Sequence, residues 1–87
     1  MKNMGEKRMK IRTNNGESLQ CKVYIHENKK EETILVSVPD IFFSIQFDYD
    51  IYGDALVDHL YHHLFNILDE KEANQLALSI AQWTSEV

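Results

Sequence analysis

The sequence predicts an α+β fold, a four-stranded antiparallel β-meander followed by an α-helical hairpin packed on one of its faces, in the order β-β-β-β-α-α. Three observations predict it. The first half carries four runs in which apolar and polar residues alternate, the period of half-buried strands, separated by turn residues. The second half changes period: Leu56, Leu60, Leu64 and Leu68 recur at helical spacing and draw an apolar stripe. The 87 residues are enough for one hydrophobic core and too few for two.

Residues 1–7 are polar and without pattern, and are expected to be a flexible tail ahead of a single domain spanning 8–87. The first strand, residues 8–13, alternates Met9 and Ile11 on one side with Lys10 and Arg12 on the other. Asn14-Asn15-Gly16 reads as a three-residue hairpin loop closed by a left-handed glycine. That loop would set Ile11 against Leu19 and Met9 against Cys21. The second strand, 18–26, sends Leu19, Cys21, Val23 and Ile25 inward and Lys22, Tyr24 and His26 outward. Residues 27–32, ENKKEE, read as a solvated hairpin tip.

The third strand, 33–38, points Ile34, Val36 and Val38 to the core and Leu35 and Ser37 away. Pro39-Asp40 turns the chain, the proline presetting φ. A fourth strand, 41–48, then sends Ile41, Phe43, Ile45 and Phe47 inward and Phe42, Ser44, Gln46 and Asp48 outward. With Pro39 and Asp40 as the two turn residues, Val38 meets Ile41, Val36 meets Phe43 and Ile34 meets Ile45. The apolar face so formed needs a cover. Residues 54–68 supply the first helix, with Val57, Tyr61 and Ile67 beside its leucine stripe. Asp69 followed by Glu72 is an aspartate capping box that starts a second helix near Glu70, with Ala73, Leu76, Ala77, Ile80 and Thr84 inward.

Composition excludes several classes. Hydrophobic residues at 44% and charged residues at 26% match an ordinary globular domain, not a disordered chain. Apolar runs fall far short of the roughly 20 residues a membrane span requires, and a cytoplasmic protein is expected. The single cysteine, Cys21, permits no internal disulfide. It reads as a small buried hydrophobe. The net charge of −5 is unevenly spread: Lys2, Lys7, Arg8, Lys10 and Arg12 crowd the start, whereas residues 40–87 hold nine acids against Lys71. Such polarity suits a basic protein partner and disfavours general affinity for nucleic acid.

Chemistry-bearing motifs are sparse. There is no GxSxG elbow, glycine-rich phosphate loop or HExxH helix, so no enzyme, cofactor or small-molecule substrate is expected. His59 and His63, with His62 between them, stand one helical turn apart and are weak metal candidates. Tyr24, Leu35 and Phe42 on the outer sheet face, with Phe65 and Leu78 on the outer sides of the helices, are candidates for binding a protein partner or a second copy. The alternative is single-stranded nucleic acid held by Arg8, Lys10, Arg12 and Lys22 with Tyr24 and Phe42 as stacking platforms. The acids Asp54, Asp58, Asp69, Glu70 and Glu72 read as a solvated helical surface, with phosphate mimicry towards a basic protein as a further use.

The stretch KVYIHENKKEETILVSVPDIFFSI, Lys22 to Ile45, resembles the YueH-like family of small bacterial proteins, chiefly in its VYIHENKKEE and VPDI turns. The resemblance implies a cytoplasmic protein of a Gram-positive bacterium. It implies no established activity and brings no functional residue with it.

Overall fold

The computed structural model describes residues 7–17 and 19–85, Lys7 and Arg8 by their backbone. The expected tail, 1–7, lies outside the described residues except for Lys7, which opens the first strand. Four strands, β1 (Lys7–Asn15), β2 (Gln20–Asn28), β3 (Thr33–Val38) and β4 (Phe43–Asp48), form an antiparallel sheet in chain order. Two helices follow, α1 (Gly53–Leu64) and α2 (Glu70–Ser85). This is the β-β-β-β-α-α architecture that the two periods dictate.

The core lies between sheet and helices. Val23, Ile25, Val36 and Val38 meet Leu60, Leu64, Leu76 and Ile80, all essentially buried. Each such side chain contributes about 1.5–3 kcal/mol relative to exposure. The alanines Ala73 and Ala77, fully buried, bring α2 close to the layer beneath.

The β3–β4 hairpin corrects the two-residue turn. Pro39–Ile41 winds as a 3-10 turn and Phe42 takes a left-handed φ of 54°, its N–H donating to the Pro39 carbonyl at 3.0 Å. The connection therefore spans four residues, and Val38 pairs with Phe43, Val36 with Ile45 and Ile34 with Phe47. The shift is by two, so every side chain stays on its expected face. Asp40 pins the turn by accepting the Lys22 N–H at 3.2 Å.

The β1–β2 hairpin is a larger correction. Strand β1 runs on through Asn14 and Asn15, and Ile11 pairs with Tyr24, Met9 with His26, Lys10 with Ile25 and Arg12 with Val23. The register differs from expectation by an odd number, so the faces exchange. Met9 and Ile11 are 59% and 51% exposed on the outer face, and Lys10 and Arg12 are half-buried on the helix side. The cause is tertiary. Asn14 is no turn residue but is buried against α2, where its amide and that of Gln75 donate to each other at 3.1 and 3.0 Å.

Gly16 follows without the expected left-handed φ, which among the described glycines belongs to Gly53. Glycine is needed at 16 for space: a Cβ there would stand 2.8 Å from Oε1 of Glu72 and 2.9 Å from the Leu19 carbonyl.

Helix α1 ends at Leu64, not 68, because the Leu64 carbonyl accepts both the Ile67 and Leu68 amides at 2.9 and 2.8 Å and tightens the chain into a turn. Ile67 consequently leaves the stripe and is exposed. Asp69 then accepts the Glu72 N–H at 2.8 Å, the expected cap of α2, worth about 1 kcal/mol.

Candidate functional site

The corrected register assembles the outer sheet face. One cross-strand row runs Met9, His26, Leu35, Gln46, and the next Ile11, Tyr24, Ser37, Ser44. Met9, Ile11 and Leu35 are exposed and Tyr24 half-buried, so three neighbouring strands present one apolar patch that ends in polar residues on β4. Tyr24 and Leu35 were legible as candidates; Met9 and Ile11 were missed because the hairpin signature assigned them to the core.

The same register divides the basic set. Lys22 remains exposed on the face of Tyr24, but Lys10 and Arg12 share the helix side with Ile25 and Val23. Arg8 is placed opposite Glu27 by its backbone pairing. Among the described residues no continuous stripe of bases flanks Tyr24, and the aromatic partner Phe42 sits in the β3–β4 turn, outside the strands. There it is 96% exposed in a left-handed conformation that a bulky residue occupies only at some cost in strain.

On the helices, Phe65 stacks on Tyr61 at 5.5 Å, and Tyr61 and Leu78 line one open groove between α1 and α2, together with Asp54, Asp58 and Glu70. The two outward apolar residues thus belong to one neighbourhood. Of the acids grouped with them, Asp69 is engaged as a cap and Glu72 is buried, so neither belongs to an exposed phosphate-like array.

The histidines turn back on their own helix. Nδ1 of His62 lies 2.9 Å from the Asp58 carbonyl and Nδ1 of His63 lies 2.9 Å from that of His59, while the His59 and His63 rings meet edge to face at 4.9 Å. Among the described residues no three His, Cys, Asp or Glu side chains converge in a way that would hold a metal ion. Cys21 is buried; that burial pushes its thiol above the ordinary value, and the Asp40 and Glu72 carboxylates add to the rise.

A second constellation lies where residues 27–32 read as a solvated tip. Strand β2 continues through Glu27, whose side chain follows Cys21, Val23 and Ile25 onto the helix side and is buried. Extending the alternation by one more step would have found it. Tyr49, next in the inward series Phe43, Ile45, Phe47, donates its phenolic O–H to Oε2 of Glu27. This hydrogen bond, burial, and the charges of Glu27 and Glu32 push the Tyr49 phenol up to about 12.

A pKa raised by folding favours the protonated native state. The stability Tyr49 adds is complete below its unfolded value of 10.0 and is lost as pH rises from there through about 12. An ultraviolet absorbance titration is therefore expected to show one tyrosine ionising near 12, and Glu27→Gln to return it towards 10.

Among the described residues, no helix is long and apolar enough to cross a membrane. No solved structure matches this chain. The protein of Bacillus subtilis (strain 168) named "Uncharacterized protein YueH" is 35% identical over 65 residues, which covers 75% of this chain and 79% of that protein. A family profile described as YueH-like protein matches residues 10–86, from Lys10 within β1 to just past the end of α2. With the profile and this relative in agreement, the chain belongs to the YueH-like family.

Proposed function

We propose that this chain is a non-enzymatic interaction module of the cytoplasm that binds a protein partner, or a second copy of itself, through the outer face of its sheet. The observation that supports the reading is that Met9, Ile11, Tyr24 and Leu35 share the face of β1, β2 and β3 that the helices leave open, grouped around the half-buried His26. Contiguous apolar surface rimmed by polar residues is the usual mark of a docking face. Lys10 and Arg12 favour face contact over strand addition, since charges turned inward on an edge strand discourage another strand from pairing with it. Phe42, held out on a short turn, is a candidate anchor at the margin.

The test is the double variant Ile11→Lys, Leu35→Lys, both at exposed positions where folding stability should change by less than about 0.5 kcal/mol. Sedimentation equilibrium and capture from the native host are expected to show wild-type association, weakened at least about tenfold in the variant, with circular dichroism unchanged. A wild-type chain that stays monomeric and captures no specific partner would end this reading.

A further inference from the structure

The helix side of the sheet holds a cleft unconnected with the docking face. It has a volume of about 290 Å³ and lies where β2, β3 and β4 meet the start of α1 and the end of α2. This is near the lower limit of small-molecule sites, roughly 300–1,000 Å³. Ile34, Phe47, Ile51, Leu56 and Ala81 give it apolar walls. Against them stands one acid, Glu27, only 6% exposed. Its Oε2 accepts from Tyr49, but its Oε1 is buried with no hydrogen-bond partner among the described residues. A buried carboxylate oxygen left unpaired is costly, and a donor entering the cleft would recover that cost.

Most of the remaining polar groups of the cleft favour the same kind of ligand, the exception being the exposed Tyr52, whose phenol can donate as well as accept. The Tyr49 O–H is spent on Glu27, the Thr84 hydroxyl on the Ala81 carbonyl at 3.0 Å, and the Ser85 hydroxyl on the Gln82 carbonyl at 2.7 Å. Each of these oxygens has lone pairs left and no proton to give. The helix ends add to the bias. Asp54 answers the positive start of α1, whereas the last turn of α2 carries no basic residue to offset its negative end. The cleft therefore offers acceptors, negative potential and hydrocarbon.

We infer that it binds a small organic ammonium, its charged head on Glu27 and its apolar body against Ile34, Phe47 and Leu56. The register also sets the backbone of Arg8 across from that of Glu27.

The test is a two-dimensional NMR titration of the full chain with phenethylammonium, using phenethyl alcohol and phenylacetate as its neutral and anionic counterparts. Saturable shifts are expected at Glu27, Tyr49, Ala81 and Thr84. The ammonium should bind at least about tenfold more tightly than the alcohol, as a charge-assisted hydrogen bond requires, and phenylacetate should not bind. Glu27→Gln, which keeps the shape, should abolish the preference. Ala81→Leu, which fills the cleft and leaves the acid in place, should block the ammonium and carries the test if the first variant does not fold. Equal binding of ammonium and alcohol, or a preference that survives Glu27→Gln or Ala81→Leu, overturns the inference. So does binding that emerges only in Arg8→Ala, which would make the chain's own guanidinium the occupant, and so does no saturable shift with the ammonium in either the wild-type or the Arg8→Ala chain.

Discussion

Leu60→Ala lowers the free energy of unfolding by about 3 kcal/mol, whereas Ile11→Ala changes it by less than about 0.5 kcal/mol. Leu60 is fully buried at the centre of α1 and its removal leaves a void between helix and sheet that close-packed neighbours cannot refill. With a urea dependence near 1–1.5 kcal/mol per molar, the midpoint of the first variant falls by about 2–3 M. The second variant is the more telling. Had Ile11 faced the core opposite Leu19, its truncation would have cost as much as that of Leu60; opposite Tyr24 on the open face, it costs next to nothing. Paired denaturation curves for the two variants thus measure the register of the first hairpin. Equal losses would refute it.

Asn14→Ala is expected to cost about 2 kcal/mol. Asn14 is 1% exposed, and its loss leaves the Gln75 amide without the two reciprocal bonds that join β1 to α2. Gln75 keeps its bond to the Ser79 hydroxyl at 3.1 Å, which limits the damage to one side of its amide. A double-mutant cycle with Gln75→Ala should return a coupling of about 1 kcal/mol, because the second truncation removes a group already stranded by the first. A coupling near zero, read from the same unfolding curves, would mean that the amide pair contributes nothing to the fold.

These two residues mark what was legible in the sequence. Helical spacing identified Leu60 without help from the structure, and strict alternation assigned the faces of β2, β3 and β4. Asp69 was legible as a cap because capping is local. The turn after Val38 was misjudged in length, yet the error was of two residues and left the apolar face intact. The first hairpin failed for a different reason. Asn-Asn-Gly is a strong local turn signal, and it was overruled by an amide 61 residues away that no local pattern announces. The resulting shift was odd, so the edge of the candidate docking face was hidden and Lys10 and Arg12 were assigned to the wrong side. Glu27 was hidden by its neighbours: a run of charges reads as solvated even when its first member continues a buried alternation.

The contacts of that hairpin also constrain when the fold can be completed. Asn14 reaches Gln75, and the exposed Glu17 carboxylate reaches Lys71 at 2.6 Å, 54 residues further along the chain. Contacts between segments so distant must pay the entropy of closing a long loop before they return anything, so they form late in folding. On the ribosome the order is stricter still. Strand β1 has to wait for α2 before its end can dock, and β2, β3 and β4 spend that interval with their apolar face uncovered. A nascent chain of this protein is therefore most vulnerable to aggregation and proteolysis until α2 has emerged and docked.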